Sequence, residues 1–242
     1  MDIHRNILRR NLLFLFGGTF DEATGIMKKY VFLILISCSL SLAHEPIFGI
    51  GPGTIFKGGV GIELESNGEN IQTEVLYGIT EDLSFTAGGN LYPKKVSITF
   101  VRMKYRLWKR YAPGTLDAIS LIGGVVREGI RDISYILTGI AAGRESRRWY
   151  FFGDIIKAKY LMIDFALGIR PWLMEYSKPD LVILSEVNYE DRTGYKIVFL
   201  SPAFFFTYRN VAIKGGIQIP YWKTNPYVIL ESRYSASFEI HF

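Results

Sequence analysis

Charged side chains recur in this chain at every second position of short apolar runs, and that spacing is the first pointer to chemistry. Glu63 and Glu65 flank Leu64, and Arg102, Lys104 and Arg106 alternate with Met103 and Tyr105. Glu231, Arg233 and Glu239 share one phase of the last stretch, while Glu74, Asp164, Glu186 and Lys214 occur singly in similar surroundings. Residues two apart on a β-strand project from the same face, so these side chains form an ionic stripe behind a greasy one. A stripe of both signs can line an aqueous path and select what passes by charge. It can equally close on itself as the salt-bridged filling of a small barrel. Spacing alone leaves both readings open.

Other chemistries find little support. Glu63 and Glu65 could act as an acid–base pair in principle, but alternation makes them ordinary members of the stripe. Cys38 is the only cysteine, so there is no disulfide framework and no cysteine cluster for a metal. With three histidines in the whole chain, a histidine-based metal site is not expected either, and no cofactor is implied. The formal charge is +5; without residues 1–43, which hold five Lys/Arg and three Asp/Glu, it falls to +3. That balance, with no Lys/Arg stripe, is not the footprint of a nucleic-acid partner.

The elements that position these residues are strands. From 228 to 242, every second residue from Val228 to Phe242 is apolar except Ser232, and the interleaved set is polar except Ile229. Strands in soluble proteins run to about five or six residues; a strand that crosses a bilayer needs about nine to eleven. Nothing follows Phe242 in the chain to cover the apolar face of this strand, and lipid is the simplest cover. Alternating runs separated by turn residues are expected at 57–65, 71–78, 83–90, 96–109, 116–126, 133–143, 148–157, 159–170, 180–190, 195–207, 211–219 and 228–242. No window past residue 44 holds a helical apolar stripe. The aromatic share of 15% suits sheets and membrane-interface girdles.

These strands predict an all-β fold: a closed antiparallel transmembrane barrel of about twelve strands over 44–242, preceded by a cleavable signal segment. An even count returns both ends of the barrel to the periplasmic side of a bacterial outer membrane. Closure removes the edges through which such strands would aggregate. Lys28-Lys29, the apolar run from Tyr30 and the small-x-small ending Ser41-Leu42-Ala43 read as a signal peptide over 27–43. Residues 1–26 then read as an upstream extension, or as part of a long n-region. Leu35-Ile36-Ser37-Cys38 also fits a lipobox, although inert filler in a discarded segment is the plainer reading of Cys38. Gly123-Gly124 is expected to relieve crowding at a barrel bend. Trp149 to Phe152, and Tyr221, Trp222 and Tyr227, are expected to anchor at the membrane interfaces.

Several stretches resemble small outer-membrane proteins labelled transporters or phenol-degradation (MetA-pathway) proteins. Tyr77-Gly78-Ile79-Thr80-Glu81-Asp82-Leu83-Ser84-Phe85 is similar to their "YGLTDxLxL" turn. Gly168-Ile169-Arg170-Pro171, Glu175-Tyr176, Pro179-Asp180 and Leu184-Ser185-Glu186-Val187-Asn188 resemble "GLRP…EY…PD…LELN". Leu200-Ser201-Pro202, Asn210-Val211-Ala212-Ile213 and Gly216-Ile217-Gln218-Ile219-Pro220 resemble "LSPG…NLAIEAGVQIP", with Ala203 where a glycine is usual. The resemblance implies a signal-bearing outer-membrane barrel with a transport role.

The resulting expectation is an outer-membrane channel or transporter for an unidentified small solute. Its pore would be lined by Glu63, Glu65, Glu74, Arg102, Lys104, Arg106, Asp164, Glu186, Lys214, Glu231, Arg233 and Glu239. Its partners would be the lipid bilayer and the outer-membrane barrel assembly machinery, met through the C-terminal strand ending at Phe242. Two alternatives stay open: a non-conducting structural or surface-interaction barrel, and a secreted soluble barrel that binds lipid. Some twelve-stranded barrels are lipases with Ser, His and Asn on the outer wall. Here His44 falls at the processed terminus and His241 is penultimate and inward-facing, so an enzyme is not expected.

Overall fold

A computed structural model describes residues 50–66, 71–90, 98–129, 131–173 and 178–242. The expectations for the extension at 1–26, the signal segment at 27–43 and Cys38 lie outside these residues, as do Glu175 and Tyr176 of the quoted motif.

The alternating runs fold as antiparallel strands: β1 (Val60–Ser66), β2 (Ile71–Gly78), β3 (Leu83–Asn90) and β4 (Ile98–Ala112). β5 (Thr115–Glu128), β6 (Ile133–Ser146), β7 (Trp149–Lys157) and β8 (Leu161–Ile169) follow. β9 (Asp180–Arg192), β10 (Tyr195–Tyr208), β11 (Val211–Lys223) and β12 (Arg233–His241) complete the series. Each strand pairs with its neighbours in chain order, and β1 closes on β12 from Gly61 opposite His241 to Ser66 opposite Ala236. The result is a closed barrel with no free edge among the described strands.

Lipid-type burial explains the outer wall. Leu64, Met103, Ile136, Phe165, Ile183 and Ile213 all stand exposed on outward phases, Ile136 with 77% of its surface uncovered. Such an apolar surface, present on every strand, is far larger than a water-soluble monomer carries.

Two ends can be distinguished. The near end holds the start of β1, the end of β12 and the connections at 79–82, 113–114, 147–148, 170–179 and 209–210. Its turns are tight, with Gly114 at φ 76° and Arg209 at φ 55°. The long connection at 170–179 is fastened by Arg170, whose Nε donates to both carboxylate oxygens of Asp180, at 2.9 and 2.8 Å. Arg170 also donates to Glu145 and to the Ser146 carbonyl. These are the arginine and aspartate of the "GLRP…PD" stretch, so that motif is a buried clamp on one turn.

Several strands depart from regular pairing or from their expected bounds. Between Arg106 and Trp108 a bulge shifts the register of β4 against β5, so Leu107 and Trp108 both face outward. The bulge inverts the phase of everything after it. In β10, Pro202 lies beside a gap in the ladder to β11, where Leu200 opposes Ile219 and the next pair is Ala203 with Gly216. β12 starts at Arg233, later than the expected 228. Its last pair with β11 is Gln218 opposite Arg233. The next outward step would set Glu231 opposite Pro220, which has no N–H for a ladder. β11 in turn runs past the expected 219, through Pro220, and pairs it with Phe199 of β10.

Candidate functional site

The interior of the barrel is the candidate site. From β11 through β12 and β1 to β4, inward positions are mostly polar, and every strand but β3 contributes charges. Lys214 Nζ lies 3.1 Å from Glu63 and 3.2 Å from Glu239, bridging β11 to β1 and β12. His241 Nε2 reaches Glu239 at 2.9 Å. Glu65 accepts a hydrogen bond from Ser235 Oγ at 2.7 Å. Arg102 Nη2 reaches Glu74 at 3.4 Å, and Gln72 donates to the same carboxylate at 2.9 Å. Lys104 is buried one step nearer the rim. Arg106 ends the ladder on β4, with Nε donating to Asp82 at 3.0 Å and a second nitrogen donating to the Glu81 carbonyl.

Glu231 does not belong to this set. It is exposed in the connection before β12, because the strand that was to point it inward has not yet begun. Arg233, the first residue of β12, does turn in, and its Nη1 reaches Glu190 of β9 at 3.1 Å.

A second inward region, on β5–β10, differs in kind. Ile122, Leu137, Tyr150, Phe152, Leu184 and Phe205 belong to one buried apolar cluster. Tyr150 meets Phe205 edge-on, with ring centroids 5.5 Å apart at 77°. Among these residues Asp154 and Asp164 stand directly opposite one another on β7 and β8, with buried Glu186 on β9. Asn188 ties this region together: its Nδ2 donates to Asp164 at 2.8 Å, and its Oδ1 accepts from Ser201 at 2.5 Å and from Gln218 at 3.3 Å. Asn188, Ser201 and Gln218 come from three separate stretches of the family resemblance.

The chain ahead of β1 also lies inside. The Ile50 N–H donates to Asp154 Oδ2 at 2.7 Å, the Pro52 carbonyl accepts from Ser120 Oγ at 2.6 Å, and Thr54 Oγ1 donates to the Glu81 carbonyl at 3.0 Å. Gly51, Thr54 and Ile55 are buried, and Ile50 packs on the apolar cluster. Gly78 shows how close the fit is. Any Cβ there would sit 1.9 Å from the Phe56 carbonyl oxygen, so only glycine fits. Two cavities flank the segment. One of about 30 Å³ is lined by Pro52, Ala118, Gly143 and Tyr150, and one of about 10 Å³ by Ile55, Leu76, Lys104 and His241. Since a water needs about 10–15 Å³ of such space, the first has room for two or three molecules and the second for one at most.

The remaining expected residues, Glu63 through Glu239, therefore point inward, with most of the charges in ion pairs. Sequence reasoning missed Asp154, Asn188, Ser201, Gln218, Glu190 and the segment 50–56. Asp154 was hidden because its neighbours in phase, Tyr150, Phe152 and Ile156, are as apolar as those on the outer phase. Asn188, Ser201 and Gln218 were visible only as members of the quoted motifs.

No protein-family model matches the chain, and no curated protein matches it. Among solved structures, the KdgM porin in complex with disordered oligogalacturonate shares the fold at a TM-score of 0.53 and 9% identity, covering 76% of this chain and 99% of that one. The KdgM porin on its own gives 0.53 at 8% identity with the same coverage. The NanC porin in a rhombohedral crystal form stands at 0.47 and 6%, covering 76% and 98%. At these identities the likeness is one of fold.

Proposed function

We propose that the chain is a bacterial outer-membrane β-barrel that passes a small solute through its ionic interior, with residues 50–56 as a segment that must yield for passage. The observation that carries the reading is that segment's attachment. A stretch of backbone crosses the interior and is held there by hydrogen bonds to Asp154, Ser120 and the Glu81 carbonyl rather than by pairing as a strand. The predominantly apolar outer wall supports a lipid environment, since only closed barrels and helices satisfy their backbone in lipid. An even strand count returns both ends of the barrel to one side, and the rule for bacterial barrels supports a periplasmic near end. The fold shared with the KdgM porin and the resemblance to MetA-pathway proteins both support a transport role. The oligogalacturonate in the KdgM complex supports a polar solute; its identity here is open. Assembly through the C-terminal strand ending at Phe242 belongs to the same reading.

A second reading rests on the packed interior: the apolar cluster, the closed ion pairs and the small cavities fit a non-conducting barrel. Planar-bilayer recordings of the purified chain separate the two. The conduit reading expects discrete conductance steps. It also expects a higher open fraction in the Asp154→Ala, Ser120→Ala double variant, which removes two of the three interior attachments. Silence from both proteins, once inserted, sinks the conduit and leaves the structural barrel.

A further inference from the structure

We propose that the outer wall of β4–β6, at its periplasmic end, holds the phosphate of an anionic phospholipid headgroup between Arg110 and Arg144. The proposal rests on the membrane reading above. It begins with the bulge at Leu107. On β4, Arg102, Lys104 and Arg106 point inward, and an unbroken strand would send Arg110 in after them. The register shift between Arg106 and Trp108 instead brings Arg110 to the outer face opposite Asp117. Asp117 in turn opposes Arg144 on β6. Three neighbouring strands thus present a cation, an anion and a cation in one row.

The row is built rather than incidental. Asp117 Oδ2 accepts from Arg110 Nε at 3.0 Å and Nη2 at 2.7 Å. Its Oδ1 accepts from Arg144 Nε at 2.5 Å, and its Oδ2 from Arg144 Nη2 at 3.0 Å. One buried carboxylate therefore orients two guanidinium groups while neutralising one. Their side chains stay 59% and 56% exposed, against 9% for Asp117. A guanidinium has five N–H donors, so each keeps three after binding Asp117. Two such forks side by side suit the oxygens of a phosphodiester.

The surroundings fit a headgroup better than a soluble anion. Leu121 and Ile140 continue the same wall toward the membrane centre, Phe151 stands opposite Arg144 at the level of the row, and Trp108 and Trp149 are exposed nearby, the placement of interfacial anchors. Arg147 and Arg148 on the adjoining turn are exposed and add positive charge. Acyl chains on the apolar wall and a phosphate on the arginine row would be engaged together.

The test is native mass spectrometry of the purified chain released from vesicles of phosphatidylcholine mixed with phosphatidylglycerol or cardiolipin. Retained anionic lipid should exceed retained phosphatidylcholine. Each of Arg110→Gln and Arg144→Gln should lower that preference about fivefold, the worth of one interfacial cation. Arg127→Gln at the opposite rim, whose guanidinium pairs with Asp132, should leave it unchanged. Asp117→Asn separates a built site from bulk attraction. It raises the local positive charge yet frees both forks, so a built site loses preference, whereas stronger retention in this variant overturns the proposal. Equal retention of all lipids by the wild type overturns it too. A chain that fails to insert into phosphatidylcholine vesicles at all defeats the membrane reading instead.

Discussion

The two halves of the inner wall solve one problem by opposite means. On β11, β12, β1, β2 and β4 the space is filled by charges that meet counter-charges, with Lys214 between Glu63 and Glu239 and Arg102 on Glu74. On β5–β10 it is filled largely by Tyr150, Phe152, Phe205 and their aliphatic neighbours. The outer wall shows no such division, because lipid makes the same demand of every strand. Screened from lipid, the inner wall is free to differ. The difference lies in how each half fails. An ionic filling holds only while all its members are present, since a lone buried charge costs far more than a missing pair. An apolar filling depends on volume and tolerates change of shape but not of size.

The sharpest way to break the comparison is at Lys214. Lys214→Met leaves Glu63 and Glu239 without their shared cation, with an expected loss of about 3–5 kcal/mol, read from urea unfolding of the vesicle-inserted protein. Adding Glu63→Gln and Glu239→Gln should restore most of it, since removing a whole ionic group is often near neutral. A triple variant as weak as the single one would show that this half is not held by mutual compensation. The apolar counterpart is Phe205. Phe205→Ala should cost about 3–5 kcal/mol through the cavity it leaves, and Phe205→Leu about 1.5 kcal/mol or less if neighbours close in. Equal costs for the two would mean that shape, not volume, governs this half.

Where polar and apolar residues alternated, the sequence was a faithful guide. The bounds of β2 and β3 are those expected from Ile71, Gly78, Leu83 and Asn90, and the strands close into a barrel of twelve as expected. Reading failed where alternation carried no contrast. β7 is apolar on both phases, so neither Asp154 nor the cluster around Phe152 stood out. It failed again where one residue changed the phase: Leu107 inserts a bulge that no local turn residue announces, and Pro220 stops the β11–β12 ladder short of Glu231. The segment 50–56 was beyond reach for another reason. It lies inside through contacts with Asp154 and Ser120, 104 and 68 residues away in the chain, and no short-range pattern encodes such a contact.

The seam between the halves gives a middle-sized test. Asn188 serves Asp164, Ser201 and Gln218 at once. Asn188→Ala should therefore cost about 1–3 kcal/mol, the desolvation of partners left unmatched. Asn188→Asp should do worse by adding a charge beside Asp164. If Asn188→Asp unfolds no more readily than wild type, the acidic region is wetter than its burial suggests.

The smallest effect belongs to the rim, where water weakens every pair. Asp82, in the turn between β2 and β3, is held below the ordinary carboxylate range by the hydrogen bond from Lys109 and then by Arg106, against a desolvation penalty. A carboxyl depressed on folding contributes stability at neutral pH and loses it as pH falls from about 4, its unfolded value, through its lower folded one. Its side chain is 41% exposed, so solvent screening limits the contribution to about 0.2–1 kcal/mol. Asp82→Asn should lower the urea midpoint slightly at pH 7 and match wild type in acid. A gap that persists unchanged in acid would mean the turn relies on the shape of Asp82 and not its charge, and the ionic rule would then stop at the rim.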